Sequence, residues 1–195
     1  FSMRSQFGFS IELENTPPQK QFKVLLIGDT CIDEYIYGVC ERLNPEAPVP
    51  ILKYNKTERK NGMAWNVKEN LQSFGINVCI FTHKENILKR RYIDQRYNQQ
   101  MLRVDFEDHV EPMHHEISDE GYDAIVISDY DKGFLTYDNV FKILENIKII
   151  KPGIKIFVDS KKKDLSCYND VIFKLNEDEF NSVDKFPENY ECIVT

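Results

Sequence analysis

The fold is decided by the stretch FKVLLIGD at residues 22–29. Its aliphatic run from Val24 to Ile27 predicts a strand buried on both faces, as in a parallel sheet, and Gly28-Asp29 ends it. Further strands are predicted at 78–81, 124–127, 154–158, 171–175 and 191–195, and helices at 61–74, 137–149 and from 176 onward. Strands that alternate with helices predict a layered α/β fold with a mostly parallel sheet.

A second group of strands is predicted outside this alternation. Half-exposed strands at 34–38 and 49–54 flank a proline-rich segment that favours turns and an edge position. A strand pair is predicted at 92–105 around a turn at 97–98. Residues 1–21 are polar and are interpreted as a tail or an upstream remnant.

Composition excludes several classes of protein. The chain has 195 residues, 42% of them hydrophobic, and a net charge of −7, which argues against a large nucleic-acid surface. No apolar run reaches the roughly 18–20 residues that span a bilayer, so no membrane partner is expected. Five cysteines without a C-x-x-C pair predict reduced thiols and a cytoplasmic location.

Polar residues follow several predicted strands directly. Asp29 and Asp33 come after the first strand, and Asp129, Asp159 and Asn176 come after later ones. Parallel sheets bind ligands at the carboxyl ends of their strands, so we expect these side chains at one edge. A carboxylate such as Asp33 can accept hydrogen bonds from two neighbouring sugar hydroxyls. The alternative is that Asp29 and Asp33 only cap a loop.

The segment NGMAWN at 61–66 predicts the start of a helix. Gly62 permits a close backbone approach, and the unpaired amides of a helix start attract polar or anionic ligands. An N-cap without a ligand explains the same residues. No G-x-G-x-x-G sequence follows the first strand, which argues against a nicotinamide-dependent oxidoreductase.

Two loops combine acids with lysines. SDYDKG at 128–133 and DSKKKD at 159–164 each follow a predicted strand. Carboxylates beside lysines suit a phosphate and its magnesium ion, although charged runs are usually solvated turns.

Asn176 and Glu179 lie on one face of the last predicted helix. Together they can orient the waters of a Mg²⁺ ion, or they can form a capping box without any metal. The pair His114-His115 is disfavoured as a metal site, because adjacent side chains diverge and no third ligand stands nearby.

Seven segments carry a family resemblance: VLLIGDTCIDEYIYG (24–38), ERLNPEAPVPIL (41–52), NGMAWNVKENLQSFG (61–75), KRRYIDQRYNQQMLRVDFED (89–108), YDAIVISDYDKGFLT (122–136), FVDSKKKDL (157–165) and LNEDEF (175–180). In this order they resemble the ribokinase-like (phosphofructokinase-B) carbohydrate kinases, above all the heptose-phosphate kinases of lipopolysaccharide precursor synthesis. The resemblance covers residues 22–195. It implies a layered α/β/α kinase domain with a small β lid at about 34–54.

The resemblance also implies an activity and a set of roles. The reaction would transfer the γ-phosphoryl group of ATP to a sugar hydroxyl, with Mg²⁺ as cofactor. The lid would also mediate contact between two copies in a homodimer. The residues implied are Asp33, Asn61, Gly62 and Asn66 for the sugar phosphate, Asp129, Lys132, Asp159 and Lys161 near ATP and the phosphate path, and Asn176 and Glu179 for Mg²⁺ through its waters.

Several features depart from the family pattern. Asn61, Met63, Ser160 and Lys162 replace motif residues, and the stretch between Phe81 and Lys89 is short. The family's Gly-Ala-Gly-Asp element supplies an anion hole and the general base, and these 195 residues contain no glycine after Gly153. We therefore expect an incomplete kinase domain that is inactive by itself. The alternative is a non-catalytic sugar-phosphate-binding or regulatory module.

Overall fold

The computed structural model describes residues 21–106, 109–114, 117–118 and 121–195. Outside these ranges lie residues 1–20 of the predicted tail, His115, and Glu107-Asp108 of one motif. The described elements, in chain order, are β1 (Lys23–Gly28), β2 (Thr30–Leu43), β3 (Pro50–Met63), α1 (Ala64–Ser73), β4 (Asn77–Phe81), β5 (Ile87–Asp94), β6 (Gln99–Phe106), β7 (Ala124–Asp129), α2 (Tyr137–Ile150), β8 (Lys155–Ser160), β9 (Val171–Leu175), α3 (Glu177–Ser182) and β10 (Tyr190–Val194).

The main sheet has the strand order β10-β9-β8-β7-β1-β4, and every neighbouring pair in it is parallel. The predicted α/β architecture with a mostly parallel sheet is therefore confirmed. Strand β1 lies inside the sheet, where Leu25 pairs with Cys79 on one side and with Ile125 on the other. This position explains the continuous apolar run, because a strand covered on both faces buries every side chain.

Helices cover both faces of this sheet. Ile143 of α2 joins the core that contains Leu25 and Ile27, whereas Ala64 of α1 packs in a second cluster with Leu26. Since neighbouring residues of a strand point to opposite faces, α1 and α2 lie on opposite sides. The described part of the chain holds no helix long and apolar enough to cross a membrane.

The second sheet, with strand order β3-β2-β5-β6, is larger than the predicted lid. The prediction covered about 34–54, but the antiparallel pair β5 and β6 also belongs to it, joined to β2 through parallel pairing of β5. The predicted turn at 97–98 is confirmed between β5 and β6, where Asn98 adopts a φ of 50°. We call this sheet the lid sheet.

The predicted helix at 61–74 was wrong at its start. Strand β3 continues to Met63, which pairs with Thr30, so the helix begins only at Ala64. Pairing with β2 overrides the helical pattern of these three residues. Met63 has a φ of 55°, a left-handed conformation that turns the chain sharply from the lid sheet into α1.

Candidate functional site

The carboxyl ends of the main strands bring most of the predicted polar residues to one edge. Asp129 pairs with Ser160 at the ends of β7 and β8. The amide of Asp29 donates to the carbonyl of Ser128 at 3.1 Å, and the amide of Lys161 donates to that of Asp129 at 2.8 Å. The loops that follow β1, β7 and β8 are therefore joined by backbone hydrogen bonds.

The lid sheet reaches this edge through Tyr130. The ammonium of Lys89, on β5, lies 5.7 Å from the centre of the Tyr130 ring, and that of Lys161 lies 5.6 Å from it. Ammonium groups at this distance from an aromatic ring are attracted to it. Tyr130 thus links the lid sheet to the loops after β7 and β8, and the space around it is the candidate site.

Asp33 lies on β2 at the side of the lid sheet that faces the site. Its Oδ1 accepts from Arg91 Nη1 at 2.5 Å, and its side chain is 20% exposed. A Cβ atom at Gly62 would collide with Asp33 Oδ2 and would stand 2.6 Å from Cys31 Sγ. The glycine is therefore required for Asp33 to lie across the neighbouring strand, and its predicted contact with a sugar stays a prediction.

Asn61 does not join this group. It pairs with Ile32, so its side chain lies on the opposite face of the lid sheet from Asp33, where its Nδ2 donates to Glu69 Oε1 at 2.7 Å. Alternation along β3 therefore separates Asn61 from Asp33, and the sugar-binding role of Asn61 stays a prediction. Asn66 is exposed in the first turn of α1, and its sugar-binding role stays a prediction.

Basic side chains surround Asp33 on its face of the lid sheet. Directly paired residues share a face, so strand pairing places on it the set Asp33, Tyr35, Glu58, Lys60, Lys89, Arg91, Arg103 and Asp105, with four cations and three acids. We call this set the basic lid face. Lys60 and Arg91 both lie over the Tyr35 ring, at 5.6 and 5.4 Å from its centre. Asp105, paired with Lys89, is ion-paired to Arg103, which together with Lys89 and Lys132 lowers the pKa of that carboxyl.

Asp129 is completely buried, which changes its expected role. Its Oδ2 accepts from Tyr168 OH at 2.5 Å, from Lys162 Nζ at 2.7 Å and from Ser160 Oγ at 3.0 Å. A carboxylate enclosed in this way acts on its loop and not by direct contact with a ligand. Its predicted role near the phosphate path therefore stays a prediction, in which Asp129 acts by holding this loop.

Asp29 is the second buried acid at this edge. Its Oδ2 accepts from the amide of Tyr130 at 2.7 Å, while Oδ1 accepts no hydrogen bond from the described residues. Burial, followed by the nearby charge of Asp129, raises the pKa of Asp29. Asp29 therefore supports the loop at Tyr130, and Asp33 is the more exposed acid of the pair.

Asn176 and Glu179 form the capping box that was the alternative to a metal role. Asn176 Oδ1 accepts from the amide of Glu179 at 2.8 Å, and Glu179 Oε2 accepts from the amide of Asn176 at 2.9 Å. Glu179 also forms an ion pair with Lys161, whose ammonium lies 3.2 Å from Asp159. Burial opposes the charge of Glu179, but the Asn176 amide and Lys161 outweigh it and lower the pKa of this carboxyl.

Three residues contribute to the site without having been predicted to do so. Lys89 and Arg91 lie in the resemblance segment at 89–108 without a predicted role, because their face depends on the pairing of β5 with β2. Lys162 was noted only as a departure from a motif, and its side chain is in fact 3% exposed. Alternation along β5 could have placed Lys89 and Arg91 together, whereas the burial of Lys162 had no sequence signal.

The opposite face of the lid sheet holds a separate cluster of charges. Glu34 is almost fully buried and accepts hydrogen bonds from Arg90 and, at 2.8 Å, from Arg59 Nε. The hydrogen bond from Arg90 is the main cause that lowers the pKa of Glu34, and Arg59 adds to it against the effect of burial. This triad fastens β2 to both of its neighbours.

Comparison with curated proteins finds relatives among the bifunctional HldE proteins. The chain is 32% identical to "Bifunctional protein HldE" of Salmonella dublin over 206 aligned positions, which cover 87% of the chain. It is 31% identical to the protein of the same name from Shigella flexneri over 86% of the chain. The chain spans only 42% and 41% of the length of these two relatives. No family model matches it.

Solved structures with the same fold are carbohydrate kinases. A carbohydrate kinase from Agrobacterium tumefaciens superposes with a TM-score of 0.54, and phosphofructokinase-2 from Escherichia coli, in its tetrameric inhibited form, with 0.52. Each covers 84% of the chain at 12% identity, and the chain covers 63% and 64% of them. At this identity the likeness concerns the fold alone.

The Glu34 triad predicts a specific pH dependence of stability. The folded-state pKa of Glu34 is lowered below its unfolded value of about 4.3, so its contribution is complete above that pH and is lost as the pH falls further. Glu34→Gln should cost about 1 kcal/mol of unfolding free energy at pH 7 and flatten the loss of stability below about pH 4. Denaturant unfolding at several pH values measures both.

Glu46→Gln, at an exposed position between β2 and β3, is the matched control. It should leave both the stability at pH 7 and the acid slope unchanged. An acid slope in Glu34→Gln as steep as in the wild type would contradict the assignment.

Proposed function

The chain is a ribokinase-like relative of the HldE proteins, and we propose that it forms the sugar-binding side of a sugar-phosphate kinase. The reaction would transfer the γ-phosphoryl group of ATP to a hydroxyl of a sugar that already carries a phosphate, of the heptose 7-phosphate class. The observation that carries this proposal is the arrangement of Asp33 among the cations of the basic lid face, of which Lys89 lies over the Tyr130 ring.

Asp33 supplies the contact to sugar hydroxyls. Its carboxylate is partly exposed, and its Oδ2 lies against Gly62, in space that a Cβ atom at that position would take. A carboxylate accepts strong hydrogen bonds from hydroxyl donors, and its two oxygens match two adjacent hydroxyls. Arg91 holds the carboxylate through Oδ1, which leaves Oδ2 turned toward Gly62.

The basic lid face supplies the contact to the phosphate of the substrate. Lys60, Lys89, Arg91 and Arg103 concentrate positive charge there, although the whole chain has a net charge of −7. Clustered lysines and arginines bind phosphate through charge-assisted hydrogen bonds. Arg91 and Arg103 also form ion pairs with Asp33 and Asp105, but Lys60 and Lys89 add positive charge that an unphosphorylated sugar would not use. This favours a sugar phosphate as substrate.

Lys132, Asp159 and Lys161 lie toward the proposed ATP side. Lys161 forms ion pairs with Asp159 and Glu179 and so stands between the loops after β8 and β9. We propose that the ion pairs of Lys161 with Asp159 and Glu179 break when ATP binds, so that Lys161 contacts the transferred phosphoryl group. Lys132 would contact the same group from the loop after β7. Stabilisation of charge by fixed cations is the main contribution a protein makes to phosphoryl transfer.

A Mg²⁺ ion fits this region only through its waters. Each carboxylate oxygen of Glu179 already accepts one hydrogen bond, from Lys161 or from the Asn176 amide, and keeps a lone pair for a metal-bound water. No group of three acidic, histidine or cysteine side chains that could hold a metal directly occurs among the described residues. When bound, the ion would neutralise charge on the ATP phosphates.

The lid sheet also supports the proposed homodimer. The face opposite to Asp33 carries Leu88, Tyr92, Leu102 and Phe106, of which Leu102 and Phe106 are 55% and 40% exposed. Exposed apolar side chains on one sheet face are typical of a contact between proteins. A second copy of the lid sheet is the partner we propose for it.

A non-catalytic sugar-phosphate-binding module is the second candidate. The ion pair of Lys161 with Glu179 favours it, because it occupies two residues that a kinase would need for phosphate and metal. Both candidates predict binding of the sugar phosphate. They differ in turnover by any longer form of the protein that includes a Gly-Ala-Gly-Asp loop, which only the kinase predicts.

The first prediction of this proposal concerns binding. Calorimetry should show that the wild-type chain binds heptose 7-phosphate, and that Asp33→Ala weakens binding about 10- to 100-fold, because a charge-assisted hydrogen bond is lost. The control Asp184→Ala, an exposed acid after α3, should bind like the wild type. Equal affinity of Asp33→Ala and wild type would exclude the role of Asp33 in either candidate.

The second prediction concerns turnover. In a coupled assay with ATP, Mg²⁺ and heptose 7-phosphate, these 195 residues should form ADP no faster than a blank, because they contain no Gly-Ala-Gly-Asp sequence. Sugar-dependent ADP formation by the 195 residues would show that the general base lies among them. Lack of turnover by a longer form with that loop would favour the binding module.

A further inference from the structure

The ammonium group of Lys162 is buried between two carboxylates of a neighbouring loop. Its Nζ lies 2.7 Å from Asp129 Oδ2 and 3.0 Å from Asp131 Oδ1. The side chain of Lys162 is 3% exposed and that of Asp129 is 0% exposed, whereas Asp131 is open to solvent. Lysine is among the residues least often buried, so this position calls for a specific explanation.

Lys162 belongs to a network that connects the loops after β7 and β8. Ser160 Oγ donates to Asp129 Oδ2 and accepts from the amide of Lys162 at 3.2 Å. Tyr168 OH donates to the same Asp129 oxygen. Two of these donors, Ser160 and Lys162, are the residues that replace motif residues in the sequence, so the two departures act together on Asp129.

The charge of Asp129 makes this network necessary. A fully buried carboxylate is strongly destabilising without a cation. The second buried acid, Asp29, lies close enough for the two carboxylates to repel each other. Lys162 supplies that cation. Burial opposes the charge on Lys162, but Asp129 and Asp131 outweigh it and raise the pKa of the ammonium.

The loop held by Lys162 carries the residues that face the lid sheet. Asp131 adopts a left-handed φ of 56°, an unfavourable conformation for a non-glycine residue. Its amide donates to Asp129 Oδ1 at 2.9 Å, and its carboxylate meets Lys162. Tyr130, just before this turn, touches Lys89 and Lys161, and Lys132 follows directly after it.

We propose that Lys162 is a positioning residue, which locks the loop at 129–133 in the conformation that presents Tyr130 and Lys132 to the sugar-phosphate site. Lys162 has no contact with the ligand in this scheme and acts through Asp129 and Asp131. The effect on ligand binding rests on the proposed function, whereas the effect on the loop does not.

Three variants test the proposal. Lys162→Met removes the cation and leaves Asp129 unpaired, and the double variant Asp129→Asn/Lys162→Met removes both charges together. Lys163→Met is the matched control, because its side chain is exposed in the same loop. Thermal unfolding, amide hydrogen exchange at Tyr130 and Asp131, and calorimetry with heptose 7-phosphate are measured for each variant.

We expect Lys162→Met to lower the melting temperature by about 10 °C, and the double variant to regain most of that loss. In both variants, the amides of Tyr130 and Asp131 should exchange faster than in the wild type, while exchange in β1 stays slow. Both variants should also bind the sugar phosphate about tenfold more weakly. Stability restored without restored binding is the signature of a positioning role. Lys163→Met should match the wild type in all three measurements.

Two results would overturn the proposal. In the first, the amides of Tyr130 and Asp131 exchange in the double variant as slowly as in the wild type, which would show that Lys162 and Asp129 only balance each other's charge. In the second, the double variant binds the sugar phosphate as tightly as the wild type, which would show that the loop does not need Lys162. If Lys162→Met does not fold, the double variant decides alone. If the wild type itself binds no sugar phosphate, the proposed function fails, while the exchange data still decide whether Lys162 locks the loop.

Discussion

The carboxylate of Asp129 is the constraint on which the edge of the main sheet depends. It sits at the end of β7, inside the sheet and out of contact with water. A buried charge at this place needs a cation and several donors, and the loop after β8 supplies them through Ser160, Lys162 and Tyr168. The two loops are thereby fixed to each other before any ligand arrives, which is the preorganisation that binding and phosphoryl transfer both use.

The lid sheet complements this edge because β5 runs parallel to β2. That pairing sets Lys89 beside Asp33 and Arg91 beside Tyr35, so that hydroxyl-binding and phosphate-binding groups share one face. The other face holds the Glu34 triad and exposed apolar side chains. The two faces of the lid sheet therefore differ in their proposed roles. One face contacts the ligand, and the other stabilises the sheet and contacts a second copy of the chain.

Local patterns in the sequence predicted the main sheet well. The runs at β1 and β7 are buried on both faces, and short polar segments after them converge because parallel strands end together. The lid sheet was predicted less completely, since half-exposed strands such as β3 lack a clear period and overlap a helical pattern at 61–63. The burial of Lys162 was not predictable at all, because a lysine in a charged run gives no sign that its ammonium enters the core.

Amide hydrogen exchange of the 195-residue chain with and without saturating heptose 7-phosphate tests the central claim most directly. Bound sugar phosphate should slow exchange on both sides of the site, in 30–33 and 87–91 of the lid sheet and in 128–133 after β7. A separate groove lies at the amino ends of β8, β9 and β10, lined by Gly153, Asp170 and Tyr190. Protection confined to this groove, or no protection anywhere, would contradict the assignment of Asp33 and the basic lid face to a sugar phosphate.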